Sequence, residues 1–174
     1  MQLGLKDFKR FEKQIILKNV GVAGQKKIFN AKVLIIGIGG LGCPLLTYLA
    51  ASGVGTIGIA DPDKIEISNL NRQTLFTTND IGKYKVDQAK YSINRINNKI
   101  RIKVFKKKMT LKNIKSAIRD FDIICDGTDN FETRYLVNDE CKKMKKILIS
   151  AAISKFDGHL YKFNFKKKSS CYRC

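Results

Sequence analysis

The sequence predicts an α/β fold of the Rossmann-like class, in which a mostly parallel sheet is flanked by helices and preceded by two N-terminal helices. Short aliphatic runs alternate with helical segments along the chain, and this alternation is typical of parallel sheets in a three-layer arrangement. A glycine-rich turn, residues 37–42, follows the first aliphatic run. The length of 174 residues suits one domain of ordinary size.

The first part of the chain begins with two segments, 8–17 and 21–30, that predict short helices. The run 32–36 (KVLII) is unbroken and branched, as expected for a strand buried on both faces. Segment 43–52 is apolar all round and predicts a helix that continues the glycine turn. A second run, 56–60 (TIGIA), predicts a strand that ends at Asp61.

The rest of the chain repeats this alternation after a polar, aperiodic segment at 63–79, which predicts a long loop. Apolar residues near helical spacing predict a helix at 83–96. The remaining predicted elements are strands at 100–105, 121–125, 147–151 and 160–165 and helices at 111–119 and 130–143. Ligands of such sheets bind beyond the carboxyl ends of the strands, so we expect the site there.

The composition is globular but strongly basic, with 34 Lys+Arg against 15 Asp+Glu and a net charge of +19. Lysine supplies 27 of the positive charges without aromatic interleaving or a nucleic-acid motif, so the sequence does not indicate a nucleic-acid partner. No apolar run reaches the about 18 residues of a membrane span, and the first ten residues lack a signal-peptide core. We therefore expect a cytoplasmic protein without a membrane partner.

The turn Gly37-Ile38-Gly39-Gly40-Leu41-Gly42 fits the pattern G-x-G-x-x-G between a predicted strand and a predicted helix. Asp61 ends the next strand, 19 residues after Gly42. Glycines let the backbone approach phosphates, a helix N-terminus attracts them, and an acid can bind ribose hydroxyls. The pattern predicts a nucleotide site but does not distinguish ATP from a dinucleotide cofactor.

The segments after Asp61 favour a triphosphate, because they add cations and amides. Arg72 can bind phosphate oxygens with two nitrogens, and Lys85 offers a compact charge. Asp129 ends a central strand, where it can hold Mg²⁺ together with phosphate oxygens.

Six motifs give the sequence a specific resemblance to a known family. They are spread over nearly the whole chain and read RFEKQIIL (10–17), GIGGLGCP (37–44), SNLNRQ (68–73), IGKYK (81–85), DGTDN (126–130) and CYRC (171–174). In order and spacing the sequence resembles the MoeB/ThiF family, adenylyltransferases that activate ubiquitin-like sulfur-carrier proteins and are related to ubiquitin-activating enzymes.

The resemblance implies ATP and Mg²⁺ as cofactors and the Gly-Gly tail of a ubiquitin-like β-grasp carrier as partner, in molybdopterin or thiamine biosynthesis. The tail carboxylate would attack the α-phosphate, giving an acyl-adenylate and pyrophosphate. By motif, Gly40 backs the nucleotide, Asp61 holds the ribose and Asp129 the metal, and Arg72, Lys85 and Asp129 are expected to be catalytic. The residues implied around the nucleotide are Gly37, Gly39, Gly40, Gly42, Asp61, Asn69, Arg72, Gln73, Lys85, Asp129 and Asn130.

Lys13 stands where the family usually carries an arginine that reaches the triphosphate of a neighbouring subunit. Lysine keeps the charge but loses the two-pronged contact, so we expect weaker phosphate binding. The resemblance also implies a homodimer. An exposed helix lysine without a role remains the alternative for Lys13.

Cys171 and Cys174 resemble the first half of the family's Cys₄ zinc site, which needs four ligands. The resemblance implies that Cys171 and Cys174 bind Zn²⁺ with a second cysteine pair further along. A redox pair or two free thiols are the alternatives. Residues 1–174 are thus expected to be a single ThiF-type nucleotide-binding domain that lacks its C-terminal part and the family's sulfur-handling cysteine.

Three other functions remain open. An ATP-dependent dehydratase acting on a modified tRNA base shares the nucleotide site and would suit the basic charge. A nicotinamide-dependent oxidoreductase is supported by the glycine turn and Asp61 alone. An inactive fragment that still docks a carrier is the third alternative.

Overall fold

A computed structural model describes residues 3–167 and 170–174 and contains a six-stranded sheet in the order β3-β2-β1-β4-β5-β6. Strands β1 to β5 are parallel and β6 is antiparallel to β5. The strands are β1 (Lys32–Ile36), β2 (Thr56–Ala60), β3 (Arg101–Phe105), β4 (Ile123–Asp126), β5 (Ile147–Ser154) and β6 (Asp157–Asn164). The helices are α1 (Leu5–Ile15), α2 (Gly21–Asn30), α3 (Gly42–Ala51), α4 (Lys85–Ile96), α5 (Ile114–Arg119) and α6 (Phe131–Lys143). The predicted α/β, Rossmann-like class is confirmed.

Helices α3 and α4 cover one face of the sheet, and α5 and α6 cover the other. The first face buries Ile35 and Ile59 among residues of α3 and α4. The second buries Leu34 and Ile124 against Ile118 of α5 and residues of α6. Because central strands are enclosed on both faces, their sequences are continuously aliphatic. This explains why β1 and β2 begin and end where the sequence predicts.

The N-terminal helices α1 and α2 pack together and against the amino end of β2. The rings of Phe11 and Phe29 meet edge to face with centroids 5.1 Å apart. Phe11 also lies over Gly53, where a Cβ would come within 2.7 Å of its ring. These helices therefore lie at the end of β2 opposite to its carboxyl end.

Several element bounds differ from the sequence prediction by up to three residues: α1 begins at Leu5 rather than at 8, and α5 begins at Ile114 rather than at 111. The predicted loop at 63–79 contains two 3-10 turns, Ile67–Asn69 and Thr78–Asp80. Strand β5 runs on to Ser154 and forms a two-residue hairpin with β6, which begins at Asp157 rather than at 160. The difference has a physical cause, since the exposed end of this hairpin has little burial and therefore no clear hydrophobic pattern.

Two residues after the end of helix α6, the chain adopts the left-handed conformation at a residue that is not glycine. Lys145 has a φ of +52°. Its N–H donates to the Lys142 carbonyl at 3.2 Å, and the N–H of Lys146 donates to the Cys141 carbonyl at 2.9 Å. This pair of hydrogen bonds is a Schellman motif, which favours glycine at the left-handed position.

We expect Lys145→Gly to raise the free energy of unfolding by about 1 kcal/mol, because glycine removes the left-handed penalty. Urea denaturation measures the change. Lys143→Gly, in the last turn of α6, is the matched control and should lower the free energy of unfolding by about 1 kcal/mol. Equal destabilisation by both substitutions would contradict this account of the helix end.

Candidate nucleotide site

The carboxyl ends of β1, β2 and β4 open into a cavity of about 650 Å³, within the usual size of small-molecule sites. The sequence-predicted residues that line it are Gly37, Gly39, Gly40, Asp61, Asn69, Arg72, Gln73, Lys85, Asp129 and Asn130. Gly42 lies behind the turn and does not line the cavity, and neither does Lys13. The fold therefore brings segments that are far apart in sequence together around one cavity.

The glycine turn is packed too tightly for side chains. Gly37 has a φ of +90°, and a Cβ there would lie 3.0 Å from the Gly127 carbonyl oxygen. A Cβ on Gly42 would lie only 2.0 Å from the Gly37 carbonyl oxygen. Gly40 is different, since a Cβ there would make an ordinary contact with the Arg72 stem at 3.4 Å, and packing alone does not require glycine.

Asp61 ties the turn to the end of β2. One carboxylate oxygen accepts the Ile38 N–H at 2.7 Å, and the other accepts the Asp63 N–H at 2.9 Å. Burial raises the pKa of Asp61, while these two backbone hydrogen bonds act in the opposite direction. Each oxygen keeps a second lone pair. Asp61 thus has a structural role that the sequence prediction missed, and it retains acceptor capacity toward the cavity.

The cations of the site differ in how they are held. Arg72 is exposed and donates from Nη1 to the Ser68 carbonyl at 3.0 Å. Lys85 is buried, and its Nζ lies 3.0 Å from a carboxylate oxygen of Asp63. Asp63 itself is largely exposed. Sequence reasoning missed Asp63, although its position two residues after Asp61 was the available signal.

Gln73 carries an unsatisfied polar atom. It is buried, and its Oε1 has no hydrogen-bond partner among the described residues. Its Nε2 lies 3.8 Å from where a Gly39 Cβ would be. A buried, unpaired amide oxygen costs free energy, which is consistent with a partner supplied by a ligand.

The loop after β4 presents one exposed carboxylate. Asp129 lines the cavity. Asn130 begins α6, and its Oδ1 accepts the Thr133 N–H at 2.9 Å. Asn130 is thus a helix cap as well as a lining residue. Mg²⁺ commonly takes one or two carboxylates and completes its shell with phosphate oxygens and water, so Asp129 fits such an ion.

Lys107, Lys108 and Met109, which follow β3, also line the cavity. Lys108 forms an ion pair with Glu132 at 3.1 Å. These residues are not among those predicted for the site, although they follow a predicted strand and so belong at the carboxyl edge of the sheet.

Lys13 lies on α1 and outside the cavity of its own chain. Its side chain is 86% exposed and has an ion contact with Glu12 at 3.5 Å. Any role of Lys13 in phosphate binding therefore requires a second subunit, as the resemblance implied.

Cys171 and Cys174 form a compact turn against α6, with their sulfur atoms 3.2 Å apart. Hydrogen bonding from Cys174 lowers the pKa of Cys171 to about 7. Tyr172 donates its N–H to Asn138 at 2.9 Å, and Arg173 pairs with Asp139. Within residues 3–167 and 170–174, no group of three or more His, Cys, Asp or Glu side chains could hold a metal. Two thiols fall short of a tetrahedral zinc site, so the predicted Zn²⁺ is not supported.

We expect Gly42→Ala to lower the free energy of unfolding by about 3 kcal/mol or more, because its methyl group would overlap a backbone carbonyl that has little freedom to move. Chemical denaturation measures the change. Gly158→Ala is the matched control, since a Cβ there has no neighbour within 4 Å. If Gly42→Ala is as stable as the control, the tight packing described here is wrong.

Curated relatives match nearly the whole chain. The chain is 44% identical to a probable molybdopterin-synthase adenylyltransferase of Porphyra purpurea, covering 93% of the chain and 42% of the relative. It is 42% identical to the adenylyltransferase and sulfurtransferase MOCS3 of Culex quinquefasciatus, covering 99% and 39%. It is 40% identical to the sulfur carrier protein adenylyltransferase of Thermus thermophilus, covering 95% and 62%. The chain thus spans 39% to 62% of the length of these relatives.

Solved structures share the fold. PaaA superposes with a TM-score of 0.86 at 25% identity, covering 98% of this chain and 59% of PaaA. Escherichia coli MccB, in complex with AMPCPP and MccA, gives a TM-score of 0.69 at 33% identity, covering 74% and 38%. The E. coli tRNA N6-threonylcarbamoyladenosine dehydratase TcdA with ATP gives 0.81 at 23% identity, covering 86% and 61%, a likeness of fold alone.

None of the helices in the described part of the chain is long and apolar enough to span a bilayer.

The profile of the ThiF family matches residues 11–174. Taken with the relatives at 40% to 44% identity, this match means that the chain belongs to the ThiF family.

Proposed function

We propose that the chain transfers an adenylyl group from ATP to the C-terminal Gly-Gly carboxylate of a ubiquitin-like sulfur-carrier protein. A carboxylate oxygen would bond to the α-phosphorus, and pyrophosphate would leave. The observation that carries the proposal is the convergence of the glycine turn, Arg72, Lys85 and Asp129 on one cavity. The printed names of the relatives, which are carrier and molybdopterin-synthase adenylyltransferases, support it.

The glycine turn and the cations around it, Arg72 and Lys85, would bind the phosphates. The N-terminus of α3, which begins at Gly42, offers the partial positive charge of the helix dipole. Its first turn supplies few donors of its own, because Cys43 already donates its N–H to the Gly39 carbonyl and Pro44 has no N–H. Arg72 is exposed and can turn its guanidinium toward an oxyanion. Adenylyl transfer needs no protein nucleophile, so these residues would act by positioning the phosphates and neutralising their charge.

Lys85 would reach the phosphates by exchanging partners. It is held by Asp63 at 3.0 Å, and a bound polyphosphate offers a stronger anion than one exposed carboxylate. The ion pair keeps the ammonium group in place at the cavity wall before the nucleotide binds. Asp63 thereby lowers the entropic cost of ordering a long side chain on binding.

Asp129 would hold Mg²⁺ with oxygens of the phosphates, and the ion would supply charge neutralisation at the leaving pyrophosphate. Asp61 would accept hydrogen bonds from the ribose with its remaining lone pairs. Gln73 would give its unpaired Oε1 a partner from the bound ligand or its water.

The carrier would approach from the side of β5, where Ile153 lines the cavity and is 67% exposed. The net charge of +19 favours an acidic partner and faster association at low salt. The proposal includes a homodimer. Lys13 lies outside the cavity of its own chain, so it would bind the triphosphate in the cavity of the second subunit.

Carrier adenylylation is favoured over the two other enzymatic functions. TcdA, the tRNA-base dehydratase, resembles this chain at 23% identity, whereas the carrier adenylyltransferases reach 40% or more. Membership of the ThiF family also favours ATP over a nicotinamide cofactor. An inactive carrier-binding fragment is distinguished by the following assay.

We expect Asp129→Ala to reduce carrier-dependent ATP–pyrophosphate exchange by at least about a hundredfold, because a charge-stabilising group is lost. Asp129 is exposed, so the melting temperature should change by no more than about 2 °C. Exchange of labelled pyrophosphate is measured with a Gly-Gly-tailed ubiquitin-like carrier and Mg²⁺.

The matched control is Asp122→Asn, an exposed carboxylate at the other end of β4, whose exchange rate should equal that of the wild type. Near-normal exchange by Asp129→Ala would remove Asp129 from the mechanism. A wild-type chain that binds a carrier in a pull-down but shows no exchange with it would be an inactive carrier-binding fragment.

A further inference from the structure

Arg134, in the first turns of α6, is a buried cation that the function above does not use. The residue is 6% exposed, and part of its side chain borders the cavity. Within the described part of the chain it forms no salt bridge. Its charge is therefore not neutralised by a carboxylate, unlike that of Lys85, which pairs with Asp63.

The two terminal nitrogens of Arg134 have different surroundings. Nη2 donates a hydrogen bond to the Thr128 carbonyl. Nη1 is enclosed by protein and has no partner among the described residues. Leaving a charged donor buried and unpaired is costly. Because Nη1 is enclosed, Arg134 is suited to act on the loop after β4 rather than to touch a ligand in the cavity with this atom.

The Thr128 carbonyl belongs to the peptide unit that joins Thr128 to Asp129. The same loop is fixed from the other side by Asp126, whose Oδ1 accepts the Thr128 N–H at 3.0 Å and the Thr128 hydroxyl at 2.7 Å. Ser150 in turn donates its hydroxyl to Asp126 Oδ2 at 2.9 Å. With both its amide and its carbonyl held, Thr128 has little freedom, and the direction of the next residue, Asp129, follows from it.

Charge adds to this geometric constraint. The loop carries the carboxylates of Asp126 and Asp129, and the proposed reaction brings a polyphosphate beside them. A neighbouring positive charge without a counter-ion reduces the repulsion among these anions. Arg134 therefore combines a hydrogen bond that orients the loop with a charge that favours an anionic ligand and its metal.

We propose that Arg134 is a positioning residue: by holding the Thr128 carbonyl, it orients Asp129 toward the cavity for binding of Mg²⁺ with a nucleoside triphosphate. The inference rests on the proposed function, because it assumes that Asp129 is the carboxylate that holds the metal. Groups that orient a metal ligand commonly contribute about tenfold to a hundredfold in metal affinity.

The test measures ATP affinity by calorimetry with Mg²⁺ and, separately, with a chelator. The ratio of the two affinities is the metal-dependent gain. Arg134→Met should cut this gain by about tenfold or more, with ATP affinity in chelator little changed. Arg134→Lys keeps the charge and one donor, and should recover part of the gain. The matched control is Arg119→Met, an arginine whose side chain is 73% exposed on α5, which should leave the gain unchanged.

A double-mutant cycle makes the test specific for positioning. If Arg134 acts through Asp129, Arg134→Met should have no further effect on the gain in an Asp129→Ala background. If Arg134 had a merely structural role, Arg134→Met would lower ATP affinity by the same factor in the wild-type and in the Asp129→Ala background. If Arg134→Met does not fold, Arg134→Gln, which keeps an amide donor without the charge, replaces it in the same cycle.

The failures of the two proposals can be told apart. A wild-type chain without any metal-dependent gain would overturn the metal role of Asp129 and this inference together. A wild-type gain that Asp129→Ala abolishes and a folded Arg134→Met retains in full would overturn only the inference.

Discussion

The site depends on one steric constraint, the close contact of the glycine turn with its own carbonyl groups and with the loop after β4. Gly42 packs on the Gly37 carbonyl, and Gly37 packs on Gly127. Asp61 then fixes the turn from the side by accepting the Ile38 N–H at 2.7 Å. Three strands thus share one rigid junction at their carboxyl ends, and the cavity lies directly on it.

The charges at this junction indicate the kind of ligand that suits it. Lys85 and Arg134 are both buried and both border the cavity. One is paired with an exposed carboxylate, Asp63, and the other only with a carbonyl. Burying cations is costly unless an anion compensates them. A cavity walled by such groups is suited to a highly charged ligand, and a triphosphate with its metal ion meets that demand better than a nicotinamide ring.

Much of this was predictable from the sequence, because the relevant patterns are local. The aliphatic runs predicted the bounds of β1 and β2, and the positions of Gly37 and Asp61 directly after these two strands predicted that both lie at the carboxyl edge of the sheet. The pairing of Lys85 with Asp63 and the contact of Arg134 with Thr128 were not predictable, since ion pairs and buried donors leave no periodic signal. The zinc prediction went further than residues 171–174 support, because a tetrahedral site needs ligands that these residues do not supply.

The proposed function requires that the cavity bind a nucleoside triphosphate with Mg²⁺ in preference to a dinucleotide. Calorimetric titration of the chain with Mg²⁺ and the non-hydrolysable analogue AMPCPP, compared with NAD⁺ under the same conditions, tests it most directly. We expect saturable binding of the metal–AMPCPP complex, at least about tenfold tighter than that of NAD⁺, which is a difference of about 1.4 kcal/mol in binding free energy. Tighter binding of NAD⁺, or no binding of the AMPCPP complex, would contradict it.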